Sequence, residues 1–161
     1  MKPPEDLAAE ALVAFGTHDL PSLAGWWRGI DVAARRGLDL YPDPAMADDE
    51  AAERATDRTR LVAALVAEGL IEADFPTTAE LPEAALRRLA LAVYAYLGRS
   101  PARLLMVQFE DVLGEAVQMN LPGTTDQHPN WRFRYPREVE AMLADPGLTE
   151  LAEVLAARRQ G

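Results

Sequence analysis

Two short apolar runs constrain this chain most: Leu12-Val13-Ala14-Phe15, and Leu104-Leu105-Met106-Val107-Gln108-Phe109. Each is followed by a polar loop, and strongly helical sequence lies between them, which is the grammar of strand-helix units. The first run predicts a strand that ends at Gly16. The second is nearly continuous in apolar residues and predicts a strand buried on both faces of a parallel sheet. Two strands cannot close a sheet, and a (β/α)8 barrel needs about 250 residues. The 161 residues therefore make either a small, mainly helical domain or part of something larger.

The helices are legible from their punctuation. Pro21 cannot continue a strand ladder and Ser22 can cap a helix, so a helix is expected from Leu23 to Ala34 despite Gly25 and Gly29. Pro42 and Pro44 mark Asp39 to Glu50 as a loop whose final acids, Asp48-Asp49-Glu50, lead into a helix from Ala51 to Glu68. Leu61, Leu65 and Val66 recur there at helical spacing, and Gly69 is the expected stop. Pro82 opens a helix to Gly98 with Leu86, Leu89, Ala90, Val93 and Leu97 on one face. A helical turn is expected at Val112 to Ala116, a loop at Gln118 to Trp131, and helices at Pro136 to Ala144 and Leu148 to Arg159.

Composition narrows the function. Apolar residues make up 49% of the chain, enough for one core of ordinary size. With 26 acidic and 16 basic residues the formal charge is −10, which disfavours nucleic acid or an anionic membrane as the main partner. The absence of cysteine excludes a thiolate metal site or a cysteine nucleophile, and two histidines, His18 and His128, cannot build a multi-histidine centre. No metal or cofactor is expected. The N-terminal residues carry no signal-peptide pattern, and no apolar run approaches the ~18 to 20 residues that span a membrane. A cytoplasmic location is the expectation.

Four places could carry chemistry. His18-Asp19 lies just past the first strand, where barrel enzymes keep their active-site residues. A carboxylate beside an imidazole can stabilise positive charge or hold a hydroxyl, although such a pair serves equally as a cap or a surface hydrogen bond. Trp26 and Trp27, about 100° apart on a helix, cannot both face one core. One can therefore wall a cleft, where a flat ring stacks on a sugar or base, unless both serve helix contacts. Glu110-Asp111 ends the second strand; two acids there could act as acid and base, or simply begin a helix. The loop from Asn120 to Trp131 offers amides, hydroxyls and an indole to a polyhydroxylated ligand. It could also be an ordered connection whose Trp131 plugs the core. Together these residues suit a carbohydrate better than a phosphate, since neither Gly-rich phosphate-binding pattern occurs.

The segment Thr17-His18-Asp19-Leu20-Pro21-Ser22-Leu23-Ala24-Gly25-Trp26-Trp27 resembles a signature of the 4-α-glucanotransferases, or amylomaltases. The stretch from Pro101 through Leu105, Gln108, Glu110-Asp111 and Leu113-Gly114 is similar to a later part of the same family. So are Gln118-Met119-Asn120-Leu121-Pro122-Gly123-Thr124 and His128-Pro129-Asn130-Trp131-Arg132. The resemblance covers nearly the whole chain in outline, treated as one segment, residues 1–161, with 38–81 a loosely matching helical insertion. It implies an α/β fold: the C-terminal part of an α-amylase-like (β/α)8 barrel, with Leu12 to Phe15 as the seventh strand and Leu104 to Phe109 as the eighth. It implies an enzyme that passes α-1,4-glucan segments between maltooligosaccharides with retention, using an aspartate nucleophile, a glutamate acid/base and a second, transition-state-stabilising aspartate. Asp19 matches that second aspartate. The substrate-binding positions implied are His18, Trp26, Asn120, Pro122, Gly123, Thr124, Asn130 and Trp131. The nucleophile and acid/base belong to earlier strands, and Glu110 and Asp111 do not match their positions. The expectation is a C-terminal portion, mostly helical and inactive by itself. Its partners would be an α-glucan and either the N-terminal barrel portion or a second copy meeting the apolar strands.

Overall fold

The computed structural model describes residues 2–159. After a 3-10 turn at Pro4–Asp6, strand β1 (Leu12–Val13) lies parallel to β2 (Leu104–Leu105), with Leu12 opposite Leu104 and Val13 opposite Leu105. The Met106 N–H donates to the Val13 carbonyl and the Leu104 N–H to that of Ala11. Both strands are shorter than the apolar runs predict. A ladder persists only while it has a partner, and among the described residues each strand has one neighbour.

The expectation that the second strand is buried on both faces is also corrected. Val13, Phe15, Leu105 and Val107 pack against the helical core. Their alternates Leu12, Leu104 and Met106 are each more than half exposed. The two-residue period of a strand sends successive side chains to opposite faces, and only one face of this pair is covered.

Helix α1 (Leu23–Arg28) starts where Ser22 accepts the Gly25 N–H at 3.2 Å. It stops at Gly29, whose φ of 74° is the left-handed cap conformation that glycine adopts without steric cost. The single helix expected from Leu23 to Ala34 is thus two, α1 and α2 (Ile30–Gly37). Helix α3 (Ala45–Ala67) begins earlier than the expected Ala51. The Asp43 carboxylate accepts the Ala45 N–H at 2.9 Å, and Pro44, with φ −54°, is already set for a helix.

Helix α4 (Glu83–Gly98) runs through the middle of the molecule. Beyond the predicted stripe, Ala92, Tyr94, Ala95 and Tyr96 are buried too. A helix buried nearly all round must have elements on several sides, and here α3, α5 (Phe109–Leu113) and α7 (Pro146–Arg159) all touch it. Helix α5 (Phe109–Leu113) takes Phe109 out of the expected strand and ends at Gly114, φ 72°. Helices α6 (Val139–Leu143) and α7 (Pro146–Arg159) are the last elements of the described residues.

Trp27, Leu65 and Leu89 are fully enclosed at the centre of the core, and each such apolar side chain contributes about 1.5–3 kcal/mol. Among the described residues no helix is long and apolar enough to cross a membrane. Because β1 and β2 are parallel, the loop that carries His18-Asp19 and the segment that follows β2 leave the sheet at the same end.

Candidate functional site

Backbone hydrogen bonds lace these two post-strand segments together. Ser22 N–H donates to the Val117 carbonyl at 2.8 Å, and Asn120 N–H to the His18 carbonyl at 3.1 Å. Between them the Gln118 side-chain amide donates to the Asp19 carbonyl at 2.9 Å. The Ser22 hydroxyl donates to the Glu115 carbonyl at 2.5 Å and accepts the Val117 N–H at 3.1 Å. With the Gly25 N–H, that oxygen uses its one donor and both lone pairs. Residues nearly a hundred positions apart are thereby held in register.

On this base stands the Asp19 carboxylate. Asn120 Nδ2 donates to its Oδ1 at 2.6 Å. His18 Nε2 lies 3.6 Å from the same oxygen, and the two side chains are 58% and 47% exposed. The Trp131 ring sits against His18, centroids 5.0 Å apart and planes 45° apart. Trp131 is 64% exposed, so it does not plug the core. Its φ of 60° is an uncommon conformation for a bulky residue, pinned by its N–H donating to the Met119 carbonyl at 2.9 Å.

The tryptophan pair divides as the helical geometry requires. Trp27 is buried, its indole N–H donating to the Thr78 carbonyl at 2.8 Å. Trp26 is half-buried and borders a cavity of about 950 Å³ that Phe15, Asp19, Gln118, Leu121 and Pro122 also line. Gln118 Oε1 is buried there with no donor among the described residues.

The structure thus gathers His18, Asp19, Asn120 and Trp131 in one chain of contacts, with Trp26 and Pro122 along the cavity wall. Gly123, Thr124 and Asn130 lie in the turn behind. Gly123 supplies a φ of 83°. The Thr124 hydroxyl donates to the Leu121 carbonyl at 2.6 Å. The Asn130 carboxamide accepts the Leu121 N–H at 2.9 Å and donates to Thr124 Oγ1 at 2.9 Å, so its polar atoms are engaged within the loop. Among the described residues no cluster of three carboxylates or imidazoles is arranged to hold a metal.

Two buried carboxylates flank this assembly: Asp111, one of the two acids noted after the second strand, and Asp31, which the sequence did not single out. Asp111 accepts the Leu23 N–H at 2.6 Å and the Tyr94 hydroxyl at 2.6 Å. Burial pushes its pKa up to about 6; the two hydrogen bonds oppose that rise and neighbouring Glu110 adds to it. Burial and the Asp111 charge hold the Tyr94 phenol well above its ordinary value. Asp31 differs. Burial alone would raise it, but the hydrogen bond and charge of Arg54, with the charge of Arg35, bring it below the usual carboxylate value. Arg54 meets Asp31 in a two-pronged pair at 3.0 and 2.9 Å. It also donates to the Trp26 carbonyl at 2.6 Å and lies 5.0 Å from the Trp26 ring. Glu110, the other acid at the strand end, accepts the Tyr135 hydroxyl.

Comparison with known proteins bears on the family of the chain. The family model for 4-alpha-glucanotransferase matches residues 1–140. A 4-alpha-glucanotransferase of Mycobacterium tuberculosis is 36% identical over 161 residues, 96% of this chain and 21% of that protein. One of Haemophilus influenzae is 29% identical over 126 residues, 78% of this chain and 18% of that protein. Among solved structures, amylomaltase from Corynebacterium glutamicum superposes with a TM-score of 0.80 at 25% identity, covering 96% of this chain and 23% of that one. The chain therefore spans about a fifth of the length of its relatives, and with a family match running from residue 1 to residue 140 it belongs to the 4-alpha-glucanotransferase family.

Proposed function

We propose that this chain supplies the last two strand-and-loop units of a (β/α)8 barrel and, with them, part of the glucan site of a cytoplasmic 4-α-glucanotransferase. The reaction is transfer of α-1,4-glucan segments between maltooligosaccharides with retention. The observation that carries this reading is the Asp19 carboxylate: about half exposed at the end of a barrel-type strand, its Oδ1 fixed by Asn120, beside His18 and Trp131. A fixed carboxylate there stabilises a sugar ring most strongly as it flattens and gains positive charge, so its binding energy favours the transition state over the ground state. Trp131 and Trp26 offer faces for stacking.

Retaining transfer also needs a nucleophile and an acid/base whose carboxyls lie about 5 Å apart across the bond. The two acids that follow β2 do not take these roles: Glu110 accepts the Tyr135 hydroxyl, and Asp111 accepts the Leu23 N–H and the Tyr94 hydroxyl. The catalytic pair is assigned to the preceding part of the barrel, and the chain alone is inactive. The uncovered face of β1 and β2, with Leu12, Leu104 and Met106 outward, is where that part or a second copy would meet it. A hybrid tests this: the chain replaces the corresponding fifth of the Mycobacterium tuberculosis relative. Transfer from maltotriose is expected, and a soluble, folded hybrid without transfer overturns the reading.

A second reading is a stand-alone glucan-binding module. The self-contained core around Trp27 and Leu89 and the exposed Trp131 favour it. It predicts that millimolar maltooligosaccharide changes the tryptophan fluorescence of the isolated chain, and an unchanged spectrum counts against it.

A further inference from the structure

Asp111 contributes nothing to the cavity lining, yet its carboxylate joins three elements. Oδ1 accepts the backbone N–H of Leu23, at the start of α1. Oδ2 accepts the Tyr94 hydroxyl from α4, and the Tyr94 oxygen in turn accepts the Gln108 N–H at 3.0 Å, just after β2. Asp111 is 2% exposed, so water cannot substitute for a lost partner, and a buried donor left without one is expensive. Leu23 follows directly on Ser22, the residue that binds the Val117 backbone through both its N–H and its hydroxyl. The path from Asp111 to the Asp19–Asn120 hydrogen bond is therefore short: the Leu23 N–H, the Ser22–Leu23 peptide link, the Ser22–Val117 hydrogen bonds and the backbone from Val117 to Asn120.

We propose that Asp111 is a positioning residue: by accepting the Leu23 N–H it sets the relative placement of the two post-strand segments and hence the Asp19–Asn120 contact. This deepens the reading of Asp19 as a transition-state-stabilising carboxylate and rests on it. Asp111 touches no part of the cavity and takes no proton in the reaction. Its placement role needs an acceptor oxygen at Oδ1, not a negative charge, and that requirement separates it from a group that merely fills space.

The test reads geometry without glucan, so it is independent of whether the chain binds one. The Asn120 side-chain amide resonances of the whole 161-residue chain are followed by NMR, with pH titration of Asp19 as a second readout. In Asp111→Ala the Asn120 amide signal is expected to move toward the free-amide position and the Asp19 titration to shift. In Asp111→Asn, which keeps an oxygen for the Leu23 N–H, both are expected to return to their original values. If Asp111→Ala does not fold, Tyr94→Phe removes one anchor of the carboxylate while keeping the ring, and a smaller shift in the same direction is expected. A folded Asp111→Ala, or Tyr94→Phe in its place, with Asn120 and Asp19 signals unchanged overturns the proposal. So does an Asp111→Asn chain that is displaced as far as Asp111→Ala.

Discussion

The two ends of helix α1 are held by buried carboxylates in opposite ways. At its start, Asp111 faces neutral donors, the Leu23 amide and the Tyr94 phenol. Past its end, Asp31 faces guanidinium groups, and Arg54 extends the pair to the carbonyl and ring of Trp26. Burial is similar, 2% and 6% exposed, yet the titration shifts run in opposite directions. The contrast shows that burial alone does not fix the charge state of a carboxylate; its partners decide whether the low-dielectric surroundings favour or oppose ionisation. It also shows two ways of fixing a short helix of six residues, which would be marginal on its own.

The largest expected effect breaks the far end. Arg54→Ala leaves Asp31 buried with Arg35 as its remaining partner and removes the donor to Trp26, so urea unfolding should show a loss of about 3–5 kcal/mol. A loss below about 1 kcal/mol would mean the pair is replaceable by water.

The next effect sharpens the contrast through pH. The folded-state pKa of Asp111, about 6, lies above its ordinary 3.8. Between these values the folded chain holds a proton that the unfolded chain releases. Stability is therefore expected to fall as pH rises through that window, by about 3 kcal/mol in all. In Asp111→Asn this part of the slope should vanish, and the chain should be no less stable at pH 7. Asp31 has the opposite sign: its folded pKa is depressed, so its stabilisation is present above 3.8 and is lost as pH falls through the folded value. Urea midpoints from pH 4 to 7, compared between the two chains, isolate the Asp111 part. An identical slope in Asp111→Asn would assign it elsewhere.

The smallest effect is a control on the same face. Arg36 pairs with Asp48, but both side chains are more than half exposed. Arg36→Ala should change stability by no more than about 0.5 kcal/mol, and a larger change would mean that solvent exposure does not govern the worth of these pairs.

How far the sequence revealed this depends on the range of the forces involved. Helix α4 was legible because its apolar spacing is local, and Ser22 because capping acts within one turn. That Trp26 and Trp27 cannot both face one core followed from the 100° step; which of them borders the cavity did not. The strand lengths were not legible, since a ladder depends on neighbours far along the chain. The split at Gly29 was missed because apolar residues continue on either side of the glycine. Of the site, His18, Asp19 and the Asn120 loop were marked by residue type and resemblance. Asp111 was set aside because an acid at a helix start is ordinary locally; what distinguishes it is the amide of Leu23, 88 positions away. Gln118 was marked only as the start of the Gln118 to Thr124 stretch that carries the resemblance, while its hydrogen bond to the Asp19 carbonyl, 99 positions away, emerges only from the fold. Asn130 was legible as a loop residue, while its engagement with Leu121 and Thr124 emerges only from the folded turn.

The central claim is that Asp19 stabilises the transition state of glucan transfer, and the most direct measurement is Asp19→Asn in the hybrid transferase described above. Turnover of maltotriose and binding of a maltooligosaccharide are measured side by side. The account predicts a fall in turnover of roughly 10²–10³-fold or more with binding little changed, the signature of an interaction made mainly in the transition state. Turnover equal to that of the parent hybrid would contradict it.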